Sequence, residues 1–427
     1  MNWQRRLYSW AWQLATPLVR HYLKKRARKA PAYLQHWDER FGSQLRPRAT
    51  GAIWIHAVSV GETRAAQPLV DALRQAWPDA PLLMTQMTPT GRATALQLYP
   101  DAEIRYLPYD YPQAVQAFLA AYRPRLGVLM ETELWPNLIH AAAEQNIPLF
   151  LANARLSEKS LHGYLKIKGL VAPALASLSA VAAQTPEDGE RLRQLGARDI
   201  EVCGNTKYDI QPPPAQLELA ASFKAWIGQR RVLVCASTRD GEEALILDAW
   251  QAAASRLGDT LLVLIPRHPE RFGEAARLAE GRGLRVQRRS AGGPLDAATQ
   301  VWIGDSMGEV FAYFACADLA FVGGSLLPLG CHNLIEPASV GVPVLFGPSV
   351  FNFKQAAALA LAAGAARQVG SAGELMDAVA ELLADEARHR AMRRAALDFS
   401  AAHRGASMRM VELFRRKLSV SSSENRA

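Results

Sequence analysis

Only four of the 427 residues are cysteines, Cys203, Cys235, Cys316 and Cys331, and none forms a CxxC pair or takes a metal-ligand spacing with histidine. This excludes a disulfide scaffold and reads as buried thiols of a reducing compartment. GxGxxG and GxxxxGK[ST] are both missing, which removes the usual dehydrogenase and P-loop readings. No Asp-x-Asp occurs, so nothing points to a sugar diphosphate held through a divalent ion. There is no internal repeat and no low-complexity block.

Acidic residues are absent from residues 1–31, which hold eight Lys or Arg (Arg5, Arg6, Arg20, Lys24, Lys25, Arg26, Arg28, Lys29). They account for most of the net charge of +9, leaving 41 basic against 40 acidic residues elsewhere. A nearly neutral body argues against a nucleic-acid groove. Leu7, Trp10, Ala11, Leu14 and Leu18 recur at helical spacing, with Tyr8, Trp12 and Tyr22 nearby and LKKRARK following. That pattern predicts a helix drawn to an anionic membrane surface. The alternative is an amphipathic helix packed on the protein's own body. The uncharged run Leu7 to Val19 has 13 residues, short of the roughly 20 that span a bilayer. No small-residue cleavage site follows, so a removed signal peptide is not expected.

After residue 50 the chain alternates short apolar runs with helical stretches. Strands are predicted at 52–58, 82–87, 104–107, 126–130, 149–152 and 180–183, then at 232–237, 261–265, 301–303, 319–322 and 344–346. Such alternation implies parallel sheets covered by helices. The predicted fold class is α/β, with two Rossmann-like domains facing a central cleft. The expected organisation is a membrane-associating segment over 1–31, an N-terminal domain over 32–210 and a proline-rich linker over 211–219. A C-terminal domain over 220–418 and a disordered tail over 419–427 complete it.

In open parallel sheets ligands bind beyond the carboxyl ends of the strands. In HAVSVGET, Gly61 permits close backbone approach and Glu62 opens a helix whose dipole favours its ionised form. A carboxylate there can take a proton from a hydroxyl nucleophile; Ser59-x-x-Glu62 also fits a capping box. MTPTG (87–91) is a turn whose hydroxyls and N–H groups suit a polar ligand. In METELWPN, Glu131 and Glu133 end an apolar run, an awkward place for carboxylates unless paired or functional. A salt bridge to a neighbouring Arg is the alternative for each.

Farther on, ASTRDGEE (236–243) follows a strand and opens a helix, and GDSMGEV (304–310) is another polar turn. LIPRHPERF sets Arg267 and His268 after a strand, where a guanidinium can clamp a phosphate. FVGGSLLPLGCHNLIEPASVGVPVLFGP joins a Gly-rich loop to a helix that Asn333 can cap and that carries Glu336.

Taken with KAPAY, TPTG, YLPYD, ANARLS and GNTKYD, these segments resemble, in order from about Lys29 to residue 370, the Kdo transferases, glycosyltransferase family 30. The resemblance implies an inverting GT-B enzyme moving 3-deoxy-D-manno-octulosonic acid (Kdo) from CMP-Kdo to the lipid A precursor (lipid IVA). It acts in lipopolysaccharide synthesis, at the cytoplasmic face of the inner membrane. By the same resemblance Glu62 is the proton acceptor, and Glu131 and Lys207 stabilise the transition state. Pro266, Arg267, Met307, Gly308, Glu309, Asn333, Leu334, Ile335 and Glu336 bind CMP. No metal or cofactor is expected, because CMP-Kdo carries a single phosphate. The family often has Gly at position 331 and Ser-Leu-Lys at 205–207, where this chain has Cys331 and Asn205-Thr206-Lys207. Two further readings are a membrane-surface GT-B enzyme using a UDP-sugar and a non-catalytic lipid-binding relative. A sugar-nucleotide epimerase shares the fold but has little use for the basic helix.

Overall fold

The computed structural model describes residues 3–424. The chain folds into two compact units, one taking residues up to Asp209 together with the chain from Arg404, the other taking Ile210–His403.

The first unit is built on β1 (Ile53–His56), β2 (Leu82–Gln86), β3 (Glu103–Tyr106), β4 (Leu126–Met130), β5 (Leu149–Ala154), β6 (Ala180–Ala183) and β7 (Ile200–Val202). They form one parallel sheet in the order β3-β2-β1-β4-β5-β6-β7. Side chains alternate between its two covered faces: Ile53 and Ile55 join Leu69, Met84 and Phe150, while Trp54 joins Leu83, Phe118 and Leu129. The chain order reverses at β1 and β4, whose register aligns Ile53 with Leu126.

The second unit repeats the plan with β8 (Val232–Thr238), β9 (Leu261–Pro266), β10 (Val286–Arg288), β11 (Val301–Ile303), β12 (Leu319–Val322), β13 (Val344–Phe346) and β14 (Ala366–Gln368). Their order is β10-β11-β9-β8-β12-β13-β14, again parallel, with the reversal at β8 and β12. A Cβ on Gly323, just past β12, would lie 2.5 Å from the Ser237 carbonyl oxygen, so only glycine lets these two strand ends meet.

The structure differs from the sequence reading in several places. The strands not predicted are β7, β10 and β14, each of three residues at a sheet edge and none buried throughout. The proline run does not stay a linker to residue 219, because a helix begins at Pro214; proline fits a helix's first turn, where its missing N–H goes unused. The last helix, Ala406–Glu424, continues through the first six residues of the expected disordered tail; 425–427 lie outside the described residues.

That helix also belongs to the first unit rather than the second. Met410, Val411, Leu413 and Phe414 enter the first unit's core, and Phe414 stacks on Phe150 with ring centroids 4.3 Å apart. Its start is capped by Asp209 of GNTKYD, whose carboxylate accepts the N–H groups of Gly405, Ala406 and Ser407 at 2.6, 3.2 and 2.6 Å.

The N-terminal helix Trp3–Ala27 has two faces. One packs on helices Pro136–Glu144 and Lys168–Ala176. There Arg5 Nε and the Ser9 hydroxyl both donate to Asn137 Oδ1 at 3.1 Å, and Arg5 also pairs with Glu144. Trp12 lies against Tyr109 and Tyr111. Asp110 of YLPYD holds this region by accepting the N–H groups of Asn137 and Leu138 at 2.9 and 2.8 Å. The opposite face exposes Trp3, Leu7, Trp10, Leu14, Leu18 and Tyr22, each more than half accessible. Packing on the body and an open apolar stripe therefore coexist, with Tyr8 and Trp12 on the packed side. Among the described residues no helix is long and apolar enough to cross a membrane.

Phe414→Ala should cost about 3–5 kcal/mol through the cavity it leaves, and Asp209→Ala about 1–2 kcal/mol through the lost cap. Amide hydrogen exchange should accelerate in β1–β7 while β8–β14 keep their protection. Loss of protection in β8–β14 instead would place the last helix with the second unit.

Candidate active site

Glu62 stands in the helix Val60–Ala65, directly beyond β1. A capping box would have the Ser59 hydroxyl accept from the Glu62 N–H and the Glu62 carboxylate accept from the Ser59 N–H. Neither bond forms. The Ser59 hydroxyl donates to Glu62 Oε1 at 3.2 Å, and Val58 N–H donates to Oε2 at 2.8 Å. The carboxylate is thus pulled back over the end of β1. The helix dipole does not keep it in the ordinary carboxylate range. Burial, opposed by the Val58 N–H and reinforced by the charges of Glu133 and Glu131, raises its pKa to about 7. A Cβ on Gly61 would meet only Ser59 Oγ, at 3.9 Å, so packing within the chain does not require glycine there.

Beneath this turn His56 is fully buried, its Nδ1 2.9 Å from Thr85 Oγ1 and 3.1 Å from the Thr85 carbonyl. Burial pushes its pKa to about 3, so it is neutral. The TPTG turn supports the same place, in a role other than the ligand contact expected of it. Thr88 Oγ1 caps its own helix by accepting the Gly91 N–H at 3.0 Å, and Met87 N–H donates to the Val58 carbonyl.

Glu131 and Glu133 follow β4, the other strand at the reversal. Glu131 has φ 57°, a left-handed conformation costly for this residue type, and its N–H donates to the Ala152 carbonyl at 2.9 Å. Its carboxylate pairs with Arg155 at 3.2 Å, as the salt-bridge alternative anticipated, although Arg155 is mostly exposed. Glu133 accepts from Trp135 Nε1 at 2.9 Å, and burial raises its pKa. Lys207 sits in the turn Thr206–Asp209; burial lowers its pKa, the Glu131 charge raises it and Arg155 lowers it. That turn is fastened at Thr206, whose N–H donates to Asn153 Oδ1 and whose hydroxyl donates to the Ala65 carbonyl at 2.9 Å. Glu62, Glu131 and Lys207 are thereby linked through one electrostatic neighbourhood in the first unit.

The remaining candidates lie in the second unit, beyond the carboxyl ends of its strands. Pro266 is buried as the last residue of β9, and Arg267 is exposed just after it, its N–H donating to the Thr238 carbonyl at 2.9 Å. Met307 and Gly308 are exposed beyond β11, with Gly308 at φ 81°. Glu309 is spent on a two-pronged ion pair with Arg289, both contacts at 3.1 Å, and on the Ser306 hydroxyl. Asn333 stands one residue before Leu334, the N-cap of the short helix Ile335–Ser339; its side chain accepts the Ile335 N–H at 3.0 Å and its amide donates to Glu336 at 3.2 Å. Leu334 and Ile335 are core residues, so their side chains are not available to a ligand and only their backbone is. Sequence reasoning did not single out Arg155, Arg239 or His332. Arg155 and Arg239 each directly follow a strand, which was the available signal. His332 lies in a loop ten residues past its strand, where spacing gives none.

Comparison with known proteins sets this geometry in a family. Residues 35–210 match the family profile described as 3-Deoxy-D-manno-octulosonic-acid transferase (kdotransferase). The chain is 43% identical to the 3-deoxy-D-manno-octulosonic acid transferase of Bordetella pertussis, covering 96% of this chain and 98% of that one. It is 36% identical to the enzyme of that name from Haemophilus influenzae, covering 94% and 96%. Among solved structures, UDP-GlcNAc 2-epimerase from Neisseria meningitidis overlays with a TM-score of 0.58 at 15% identity, covering 86% of this chain and all of that one. That likeness concerns the two-sheet GT-B fold alone.

The raised Glu62 pKa has a stability consequence with a definite sign. A carboxyl whose folded pKa lies above its unfolded value near 4.5 loses folded-state stability as pH rises from about 4.5 to about 7. Glu62→Gln should therefore be more stable than wild type at pH 8, by on the order of 2 kcal/mol once solvent screening is allowed for. The gap should close at pH 4. A gap independent of pH in denaturant titrations would contradict the burial of this charge.

Proposed function

The chain belongs to the 3-deoxy-D-manno-octulosonic-acid (Kdo) transferase family, and we propose that it moves Kdo from CMP-Kdo to the lipid A precursor, lipid IVA, with inversion. The observation that carries this reading is the Glu62 carboxylate, steered by Val58 and Ser59 and brought to a pKa of about 7. A general base works best when its pKa lies near the working pH. Glu62 takes the proton from the sugar hydroxyl of the acceptor as that oxygen attacks the anomeric carbon on the face opposite CMP.

As the bond to CMP breaks, positive charge grows on the sugar ring, as in other glycosyl transfer. Glu131 offsets that charge, and Lys207, itself coupled to Glu131, completes the arrangement. Negative charge grows on the departing CMP, where Arg267 and the N–H groups around Asn333–Glu336 receive it. In this reading protein cations do the work a metal does in diphosphate chemistry. The exposed stripe Trp3, Leu7, Trp10, Leu14, Leu18 and Tyr22 and the basic residues of 1–31 rest on the anionic cytoplasmic face of the inner membrane, where a lipid acceptor is reached.

The test is CMP release from freshly made CMP-Kdo, with and without the lipid A precursor. Wild type should release CMP only with acceptor, with a rate that falls about tenfold per pH unit below the Glu62 pKa. Glu62→Gln should lose about 10²–10⁴-fold in rate while still binding CMP. Release that survives the substitution would remove Glu62 from the base role. CMP binding without any release would leave a non-catalytic relative, and use of a UDP-sugar would replace the donor.

A further inference from the structure

At the reversal of the second sheet the acidic side chains are all engaged within the fold. Fully buried Glu242 accepts three backbone N–H groups, from Arg239 at 2.9 Å, Gly324 at 2.6 Å and Leu326 at 2.9 Å. Glu243 takes Arg271 at 3.1 Å and the Thr238 hydroxyl at 3.1 Å, and Asp240 takes Arg271 at 2.8 Å. Glu242 thus ties the turn after β8 to the loop after β12.

The basic side chains beside them are not engaged. Arg239 directly follows β8, Arg267 and His268 directly follow β9, and His332 packs its ring over Gly324 beyond β12. None of these four side chains has a hydrogen-bond or ion-pair partner among the described residues. Backbone bonds hold them at adjacent strand ends: Arg267 N–H to the Thr238 carbonyl at 2.9 Å, and His332 N–H to the Gly323 carbonyl at 3.1 Å. Arg267, Arg239 and His268 each lie near enough to His332 to add to burial in pushing its pKa down to about 4. By contrast Arg271 and Arg289, nearby in the same unit, are fully committed to carboxylates. Two like-charged guanidiniums left unneutralised on a rigid frame fit a ligand with two anionic groups close together.

Resting on the reading of CMP-Kdo as donor, we propose that Arg239 binds the carboxylate of the transferred sugar acid while Arg267 binds the phosphate. The anomeric carbon of such a donor carries both groups, which need two cations side by side. Arg239 is then the residue that selects a sugar acid over a neutral sugar: without a carboxylate it stays an unpaired charge, and binding the wrong donor is penalised. His332, neutral beside them, adds no third charge.

The experiment compares CMP, CMP-Kdo and free Kdo as ligands of wild type, Arg239→Gln, Arg239→Lys and Arg267→Gln. Calorimetry gives CMP affinity, CMP release gives KM and kcat for CMP-Kdo, and free Kdo is scored as an inhibitor. Arg239→Gln should keep CMP affinity within about twofold, raise KM for CMP-Kdo at least about tenfold and abolish inhibition by free Kdo. Arg239→Lys should recover part of the loss, because the charge returns without the fork. Arg267→Gln should weaken CMP and CMP-Kdo together. Equal weakening of CMP and CMP-Kdo by Arg239→Gln, or no change in either, would overturn the assignment while leaving the donor reading intact. A wild type that neither binds CMP nor uses CMP-Kdo would overturn the donor reading and this inference with it.

Discussion

Both sheets are parallel and covered by side chains on both faces, and this confines the candidate ionisable groups to the carboxyl ends of the strands. Where chain order reverses, at β1 and β4 and again at β8 and β12, the connections run off in opposite directions and leave those ends uncovered. In the first unit the reversal collects carboxylates: Glu62 from one strand, Glu131 and Glu133 from the other. In the second it collects cations, because Glu242 and Glu243 are consumed in holding the frame. The same topology yields an acidic site in one unit and a basic site in the other. What decides the sign is which charges the frame itself absorbs.

Backbone conformation records the cost of placing these groups. Glu131, Asn153 and Ser237 have φ of 57°, 53° and 60°, and each lies at the end of a strand at or beside a reversal. Left-handed backbone at such residues costs about 1–3 kcal/mol each and persists only where neighbours impose it. Here they do. Glu131 is held by the Ala152 carbonyl and Arg155, and Asn153 by the turn that carries Lys207. Ser237 falls at the register shift between β8 and β9, against Gly323. The strain aims the residue after the strand rather than serving the core.

The sequence disclosed the buried strands and not the edge ones for a plain reason. An apolar run such as Leu319–Val322 marks a strand covered on both faces, whereas Ile200–Val202 and Val286–Arg288 have an open edge and carry too few apolar residues to stand out. The motifs were legible as motifs but not as roles. Thr88, Asp110, Asn137 and Asp209 all sit in segments that read as functional, and each proves to cap or clamp a neighbouring element. Capping pairs residues far apart in sequence, Asp209 with Gly405 for instance, so spacing cannot reveal it. The pKa of Glu62 departs from what its sequence implies for the complementary reason. The local helix dipole is visible in sequence, but its burial and the two carboxylates from β4 are not.

The N-terminal helix ties these observations to the proposed lipid acceptor. Its inward face is fastened by buried polar contacts from Arg5 and Ser9 to Asn137. Asn137 lies only six residues past Glu131, at the start of the helix that the β4 loop leads into. Removing the partners of Arg5 would strand a buried cation, and losing Arg5 would take one of the two donors from Asn137 Oδ1, at a cost of several kcal/mol. A helix held this way is fastened along the body of its own unit, with the apolar stripe on its outer side. Each large apolar side chain buried from water contributes about 1.5–3 kcal/mol, so the six residues of the stripe suffice for interfacial binding without insertion of the whole helix. In the proposed reading, a membrane surface under the stripe fixes the orientation of the β4 loop, and with it the direction from which a lipid-borne hydroxyl approaches Glu62.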